Sequence, residues 1–376
     1  DCNATTRPTP AVIEAMNAAL RDGWGNPSSM HEPGQRAKHA LGSARERVAG
    51  FIGCRPAELI FTSGATEANH TAILGALAAG ARRGRNRIVL SAVEHPALLA
   101  LVSHLEARGT PVSRIPVAPG GRVDADAARA MMGDDVALVS VMGANNETGV
   151  IQDVEVLAGA IRKRGGWMHC DAVQALGKIP VDFRALGVHG LTLSAHKIHG
   201  PLGVGALIVD KRVELAPLVA GGGQERSLRS GTENVMAIVG FATACDVAVT
   251  MRNERSAHLA VLRDALERGL TALGARLFSA EAPRLPNTSF FAIPGVDGDT
   301  LVGRLDRAGF AVASGSACSS ADPEPSHTLL SMGVDPELAR AAVRVSLGAG
   351  NTRQDVDGFL AALGESLASL RTMTAV

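Results

Sequence analysis

The sequence predicts an α/β protein, with a large domain on a mostly parallel sheet and a smaller α+β domain. Two observations predict this. Between residues 57 and 210 short apolar runs alternate with helical stretches, and strands separated by helices pair in parallel with helices on both faces. After Gly221-Gly222-Gly223 the character changes to a long helical region, then short strand-like pieces and further helices.

In chain order, the strands of the large domain are expected at 59–62, 87–91, 136–142, 167–170, 191–194 and 204–209. The intervening helices are expected at 67–81, 96–108, 125–132 and 154–164. A long helix over 235–273 leads to strands at 289–293, 311–313 and 342–346 and helices at 298–307 and 353–370. The large domain is assigned residues 10–250, and the small one residues 1–9 and 251–376.

The 376 residues suffice for two or three domains with a sizeable core. Lys+Arg and Asp+Glu are both 37, so the formal charge is zero and gives no reason to expect a nucleic-acid or anionic-membrane partner. No apolar run is expected to reach membrane-spanning length, and no signal peptide is visible. The chain opens directly on Asp1-Cys2-Asn3, which reads like the interior of a domain, so preceding residues are expected. Its five cysteines are odd in number, scattered and without a C-x-x-C pair, a pattern that fits a reducing cytoplasm and neither disulfides nor zinc. There is no tyrosine, which removes one catalytic acid and one stacking group.

Ligands of open parallel sheets bind beyond the carboxyl ends of the strands. Five such ends carry capable groups: Ser63-Gly64-Ala65-Thr66-Glu67, Glu94-His95, Asn145-Asn146-Glu147, Asp171 with Gln174, and Ser194 with His196 and Lys197. A lysine at the mouth of a buried strand loses hydration. Desolvation lowers its pKa and makes it a nucleophilic amine suited to a Schiff base with a carbonyl cofactor. A surface lysine at a strand end fits the same spacing.

The helix expected from Glu67 offers free N–H groups to an anion such as phosphate, with Thr66 as cap and ligand; a plain capped helix fits equally. Asp171 ends an apolar strand and needs a positive partner, which a protonated pyridine nitrogen would supply. Strand alternation puts His169 and Asp171 on one face and Cys170 on the other, so Cys170 reads as core and not as a metal ligand. His196 and His199 lack a third spaced ligand for a metal. His95 precedes a helix-starting Pro96 and could move protons beside a cofactor, or be structural. Cys318 lies among small polar residues with nothing apolar to bury it, which favours reactivity. Arg344 stands inside an apolar run and needs an acidic partner, either a substrate carboxylate or a structural one.

Taken together the motifs resemble the cysteine desulfurases of the NifS/IscS type, among the fold-type I, aspartate aminotransferase-like enzymes of pyridoxal 5'-phosphate. They include Asn3-Ala4-Thr5-Thr6, Ser63-Gly64-Ala65-Thr66-Glu67-Ala68-Asn69, Glu94-His95-Pro96, Asn145-Asn146-Glu147-Thr148-Gly149, Asp171-Ala172-Val173-Gln174, Ser194-Ala195-His196-Lys197, Arg229-Ser230-Gly231-Thr232 and Ser314-Gly315-Ser316-Ala317-Cys318-Ser319. The resemblance implies that Lys197 holds the cofactor covalently, Asp171 pairs with the ring nitrogen, Gln174 with the ring hydroxyl, and His95 stacks and shuttles protons. It implies phosphate binding by Ala65, Thr66, Ser194 and His196, with Thr232 reaching across from the second subunit of a homodimer. It further implies that Asn146 and Arg344 bind L-cysteine. Cys318 then takes its sulfur as a persulfide for an acceptor such as an iron–sulfur scaffold. Selenocysteine lyase or aminotransferase activity on the same fold is the alternative, and the thiol of Cys318 argues against the latter. Three positions depart from the pattern: His70 where Asn is common, Ser227 in place of a glycine, and Ala349-Gly350 in place of Arg-Phe.

Overall fold

A computed structural model describes residues 1–315 and 324–374. Seven strands form the large sheet: β1 (Leu59–Thr62), β2 (Arg87–Ser91), β3 (Val112–Ile115), β4 (Val136–Ser140), β5 (Trp167–Asp171), β6 (Gly190–Ser194) and β7 (Gly205–Val209). Their order is β1-β7-β6-β5-β4-β2-β3. Pairing is parallel from β6 through to β3, while β7 runs antiparallel to both β6 and β1.

Burial on both faces explains why these strands are unbroken apolar runs. Alternation sends Leu59 and Phe61 of β1 into one core and Ile60 into the other. Val89 likewise opposes Ile88 and Leu90 in β2.

The small sheet is β8 (Arg276–Leu277), β9 (Thr288–Ala292), β10 (Ala313–Ser314) and β11 (Ala342–Ser346), in the order β10-β11-β9-β8 and antiparallel throughout. Phe291, Val343 and Val345 pack on the helices Gly298–Arg307 and Arg353–Thr374. On the opposite face Phe290 and Ala292 pack with Phe278 and Leu329.

The helix Val235–Ala272 joins the two sheets. Its first half lies on the helices Pro10–Asp22 and Glu32–Ile52, and its second on Arg353–Thr374. The approach is close: a Cβ on Gly269 would stand 2.2 Å from Leu360 Cδ1. The boundary at 250/251 falls inside this helix. Residues 1–9 bridge the small sheet and the turn that follows β6, since Cys2 N donates to Ser346 O at 3.1 Å and Thr6 N to His196 O at 2.9 Å.

One expectation needs correcting. The helix Val235–Ala272 does contain a stretch long and apolar enough to cross a membrane. Half of that stretch is buried inside the fold, because the helix serves two cores in succession.

Candidate active site

The carboxyl ends of the parallel strands gather the expected residues on one rim. Asp171 ends β5 and is buried. Its carboxylate accepts from Asn69 Nδ2 at 2.8 Å and from Val173 N at 3.0 Å, so it is held in one orientation. In the adjoining strand Asp171 pairs with Thr192, and β6 ends two residues later at Ser194. A 3₁₀ turn, Ala195–Lys197, then carries the lysine back over the rim. Lys197 Nζ donates to the carbonyls of Asn3, at 2.6 Å, and Ala4, at 2.7 Å.

Asn3 is a junction that sequence reasoning missed, although its motif was recognised. Its carbonyl also accepts from Gln174 Nε2 at 2.9 Å, and its side chain donates to Asn146 O at 3.2 Å. Asn146 O accepts in turn from Arg344 Nη1 at 2.9 Å. Lys197, Gln174 and Asn146 therefore meet around one asparagine, and Arg344 joins them through Asn146. The acidic partner that Arg344 needed is Asp1, whose Oδ1 accepts from Nη2 at 2.8 Å.

The phosphate-type corner differs from expectation. The helix is Ala65–Ala81, two residues longer at its start, and Gly64 is its N-cap with no side-chain bond. Thr66 is therefore an exposed residue of the first turn and not the cap. The strand runs straight into the helix, so the backbone of Ala65, Thr66 and Glu67 is left with N–H groups that have no intrahelical acceptor. Ser194 pairs with Gly205 of β7, where a Cβ would stand 2.8 Å from the Gly64 carbonyl carbon. Only glycine lets that strand approach the helix start. His196 Nδ1 stands 3.2 Å from Thr5 Oγ1 of the N-terminal segment. Burial first, then the Lys197 charge, push the His196 pKa down to about 4, so it is a neutral donor or acceptor.

His95 caps the helix Pro96–Glu106, and its Nδ1 accepts from Ala97 N at 3.1 Å. That bond leaves the single proton of the neutral ring on Nε2. Desolvation lowers its pKa, and Lys197 and His327 add to this against the raising effect of Asp171. The preceding Glu94 is fully buried and pushed up to about 8 by desolvation, so it is a neutral acid at pH 7. It accepts from Met142 N at 2.7 Å and shares a 2.5 Å bond with Ser91 Oγ.

Glu147 ties the Asn146 loop to residues 326–328, through Ser326 Oγ and, at 3.1 Å, Thr328 Oγ1. Cys318 itself lies outside the described residues. Thr232 is exposed on the segment after Gly223. That segment is anchored to β1 and to the helix start at the rim: Glu225 takes Arg45 and, at 2.9 Å, Phe61 N, and Arg229 reaches Glu67 at 2.7 Å. Cys170 is buried in the core as expected. Among the described residues no metal-binding cluster occurs.

A rim with a lysine and a fixed buried carboxylate on adjoining strands, beside a free helix start, is a pyridoxal-phosphate site in form. Asn146 Oδ1, buried with no hydrogen-bond partner among the described residues, fits a bound group there. The class-V aminotransferase family matches residues 1–359, and the chain belongs to it. Within that family it stands with the cysteine desulfurases. It is 45% identical over 378 residues to the cysteine desulfurase of Cereibacter sphaeroides, covering 100% of this chain and 96% of that protein. A solved NifS-like protein superposes with a TM-score of 0.92 at 39% identity over 98% of each chain. SspA in complex with cysteine superposes with a TM-score of 0.81 at 28% identity, over 94% of this chain and 99% of that one. Pyridoxal 5'-phosphate is the cofactor of this family.

Proposed function

We propose that this desulfurase converts L-cysteine to L-alanine and captures the sulfur on Cys318. The observation that carries the reading is the pairing of Lys197 and Asp171 on adjoining strand ends, both tied to fixed partners. Bound pyridoxal phosphate supplies a carbonyl carbon for amine attachment and a protonated ring that takes up electrons.

The chain's own groups do the rest. Asp171 keeps a ring nitrogen protonated. The Ala65 and Thr66 N–H groups, Ser194 and His196 would hold the phosphate oxygens. Gln174 would give its remaining Nε2 proton to the ring hydroxyl, the other being on Asn3 O. Arg344 would take the substrate carboxylate on Nη2 in place of Asp1, keeping Nη1 on Asn146 O, and Lys197 Nζ moves the α-proton. His95 donates from Nε2; to accept a proton at Nδ1 it must first release the Ala97 N–H. The Cβ–S bond of cysteine breaks and an S–S bond forms on Cys318. L-Cysteine and one thiol become alanine and one persulfide, with no external oxidant.

The persulfide is then passed to an acceptor protein, for which an iron–sulfur scaffold is our reading. A homodimer is supported by the exposed Thr232 and by the exposed apolar Leu218 and Val219 on the same segment. A cytoplasmic setting is supported by Cys2, Cys54, Cys170 and Cys245, all free thiols.

The test is to measure alanine and sulfide from L-cysteine. Lys197→Ala should abolish the yellow covalent linkage. Cys318→Ala should keep the colour and lose sulfide release by about 100-fold or more, as expected for a nucleophile. Release at the wild-type rate from Cys318→Ala would sink the persulfide step.

A further inference from the structure

Three consecutive backbone carbonyls lead into His95, and each accepts from a different side chain. Ser331 Oγ donates to Ala92 O at 3.3 Å, Asn145 Nδ2 to Val93 O at 3.0 Å and His327 Nε2 to Glu94 O at 3.1 Å. A carbonyl only accepts, so His327 Nε2 carries a proton. Glu94 O belongs to the peptide unit whose nitrogen is that of His95, so His327 grips the rim histidine at its own peptide. Two of the three donors stand on the short helix His327–Ser331, which follows Cys318 in the chain. The third organises the loop of Asn146: Asn145 Oδ1 accepts from Glu147 N and Thr148 N, both at 2.9 Å. Glu147 in turn holds the residues on either side of His327, Ser326 through Oγ and Thr328 through Oγ1 at 3.1 Å. Its Oε1 is 3.8 Å from His327 Nδ1, too long for a hydrogen bond, so it sets the ring through those neighbours. The proposed chemistry gives His327 no task.

We propose that His327 is a positioning residue for His95, its Nε2–H fixing the Glu94–His95 peptide and with it the place of the His95 ring. The stretch needs such a fixture. Strand β2 ends at Ser91, and Ala92 N makes a last bond to the neighbouring strand, at 3.0 Å to Ile115 O. The next helix begins only at Pro96. Between them side-chain bonds stand in for the strand pairing that places Asp171 and Ser194. The His95 ring has little freedom of its own, because Nδ1 accepts from Ala97 N at 3.1 Å. Its Nε2 is therefore aimed by the backbone from 94 to 97, and His327 holds the first peptide of that backbone. A displacement of about 1 Å at a reacting group can cost about 100-fold in rate.

The proposal rests on the acid–base role given to His95, and the test separates the two. In the holoenzyme, His327→Leu keeps bulk without a donor; it should lower kcat for alanine formation by about 10-fold and leave KM within about twofold. His327→Gln puts an amide N–H near the place of Nε2 and should return kcat to within about threefold of wild type. In a His95→Gln background, His327→Leu should cost no more than about 1.5-fold further, because a residue that acts through His95 has nothing left to position. Hydrogen exchange gives a reading apart from activity. The Ala97 amide, protected by His95 Nδ1, should exchange about 10-fold faster in His327→Leu and near the wild-type rate in His327→Gln. Wild-type kcat or unchanged Ala97 exchange in His327→Leu would overturn the proposal. So would an equal loss of kcat in both backgrounds, or no rescue by glutamine. Failure of both His327 variants to take up cofactor would overturn it too, since His327 would then support the fold as a whole. A His95→Gln enzyme with wild-type kcat would instead sink the role of His95, and this inference with it.

Discussion

The two walls of this site are built by different means. On the rim wall, Asp171, Ser194, His196 and Lys197 each stand at or within three residues of a strand end. Neighbouring strands fix their spacing through backbone pairing, and the buried sheet cannot slip without exposing its core. The opposite wall has no such frame. Arg344 reaches the site from the small sheet, and its contacts are to Asp1, 343 residues away, and to Asn146, 198 residues away. The rim is positioned by local chain geometry, and the far wall by side-chain bonds between distant parts of the chain. The rim should therefore govern chemistry, and the far wall substrate affinity.

Asp171→Asn breaks the rim with the largest effect. The shape is kept, and Val173 N can still donate to the amide oxygen, but the negative charge is gone. We expect kcat to fall by about 10³-fold, the order found for losing one preorganised electrostatic contact, with KM little changed. Thermal stability should hold, because Asn69 can turn its amide and accept the new Nδ2–H on its Oδ1, which has no partner among the described residues. A variant with normal kcat and raised KM would mean that Asp171 belongs functionally to the far wall.

Arg344→Lys sharpens the other side. Lysine keeps the charge but lacks the fork that serves Asn146 O and a carboxylate together. KM for L-cysteine should rise by about 30-fold, in keeping with about 2 kcal/mol for a hydrogen bond to a charged group, and kcat should fall less. Steady-state kinetics separates the two parameters. An equal fall in kcat would place Arg344 in the chemical step and dissolve the division between the walls.

The same division explains what could be read from the sequence. Strands β1, β2 and β11 match their expected bounds because strands buried on both faces show as continuous apolar runs. Strand β3 escaped notice: it lies at the sheet edge, and of its four residues only Ile115 is buried. The polar residues of the rim were legible because they follow such runs directly. Asn3 as a junction, Asp1 as the partner of Arg344 and His327 on the Glu94 carbonyl were not. Their neighbours are set by how two sheets and the N-terminal segment come together, and no local pattern encodes that. Thr66 was misread as a cap for a related reason. Serine, threonine and aspartate at a helix start signal a side-chain cap, whereas here Gly64 takes the position and leaves the N–H groups open.

The segment carrying Thr232 is the extreme case of a part held largely by side chains, with one backbone bridge between Val219 and Arg229, and it yields the smallest prediction. Glu225, Arg226 and Ser227 have φ of 47°, 59° and 63°, three consecutive non-glycine residues in the left-handed region. Such a run persists only where other bonds over-determine it. Here the bonds are Arg45 on the buried Glu225 carboxylate, Arg226 Nη2 on Leu59 O at 3.1 Å, and Arg229 on Glu67. Ser227 is exposed and makes no anchoring side-chain bond among those described. Ser227→Gly should therefore relieve strain without loss of a contact. Glycine also adds freedom to the unfolded chain, which offsets part of the gain. The net expectation is a stabilisation of about 0.5 kcal/mol, against about 1–2 kcal/mol for the cost of a left-handed residue. Denaturant unfolding at unchanged slope measures it. A destabilised Ser227→Gly would mean that the left-handed run is held by Ser227 itself and not by the Arg45–Glu225 anchor. Kinetic constants should not move in either case, since the rim and the far wall are both untouched.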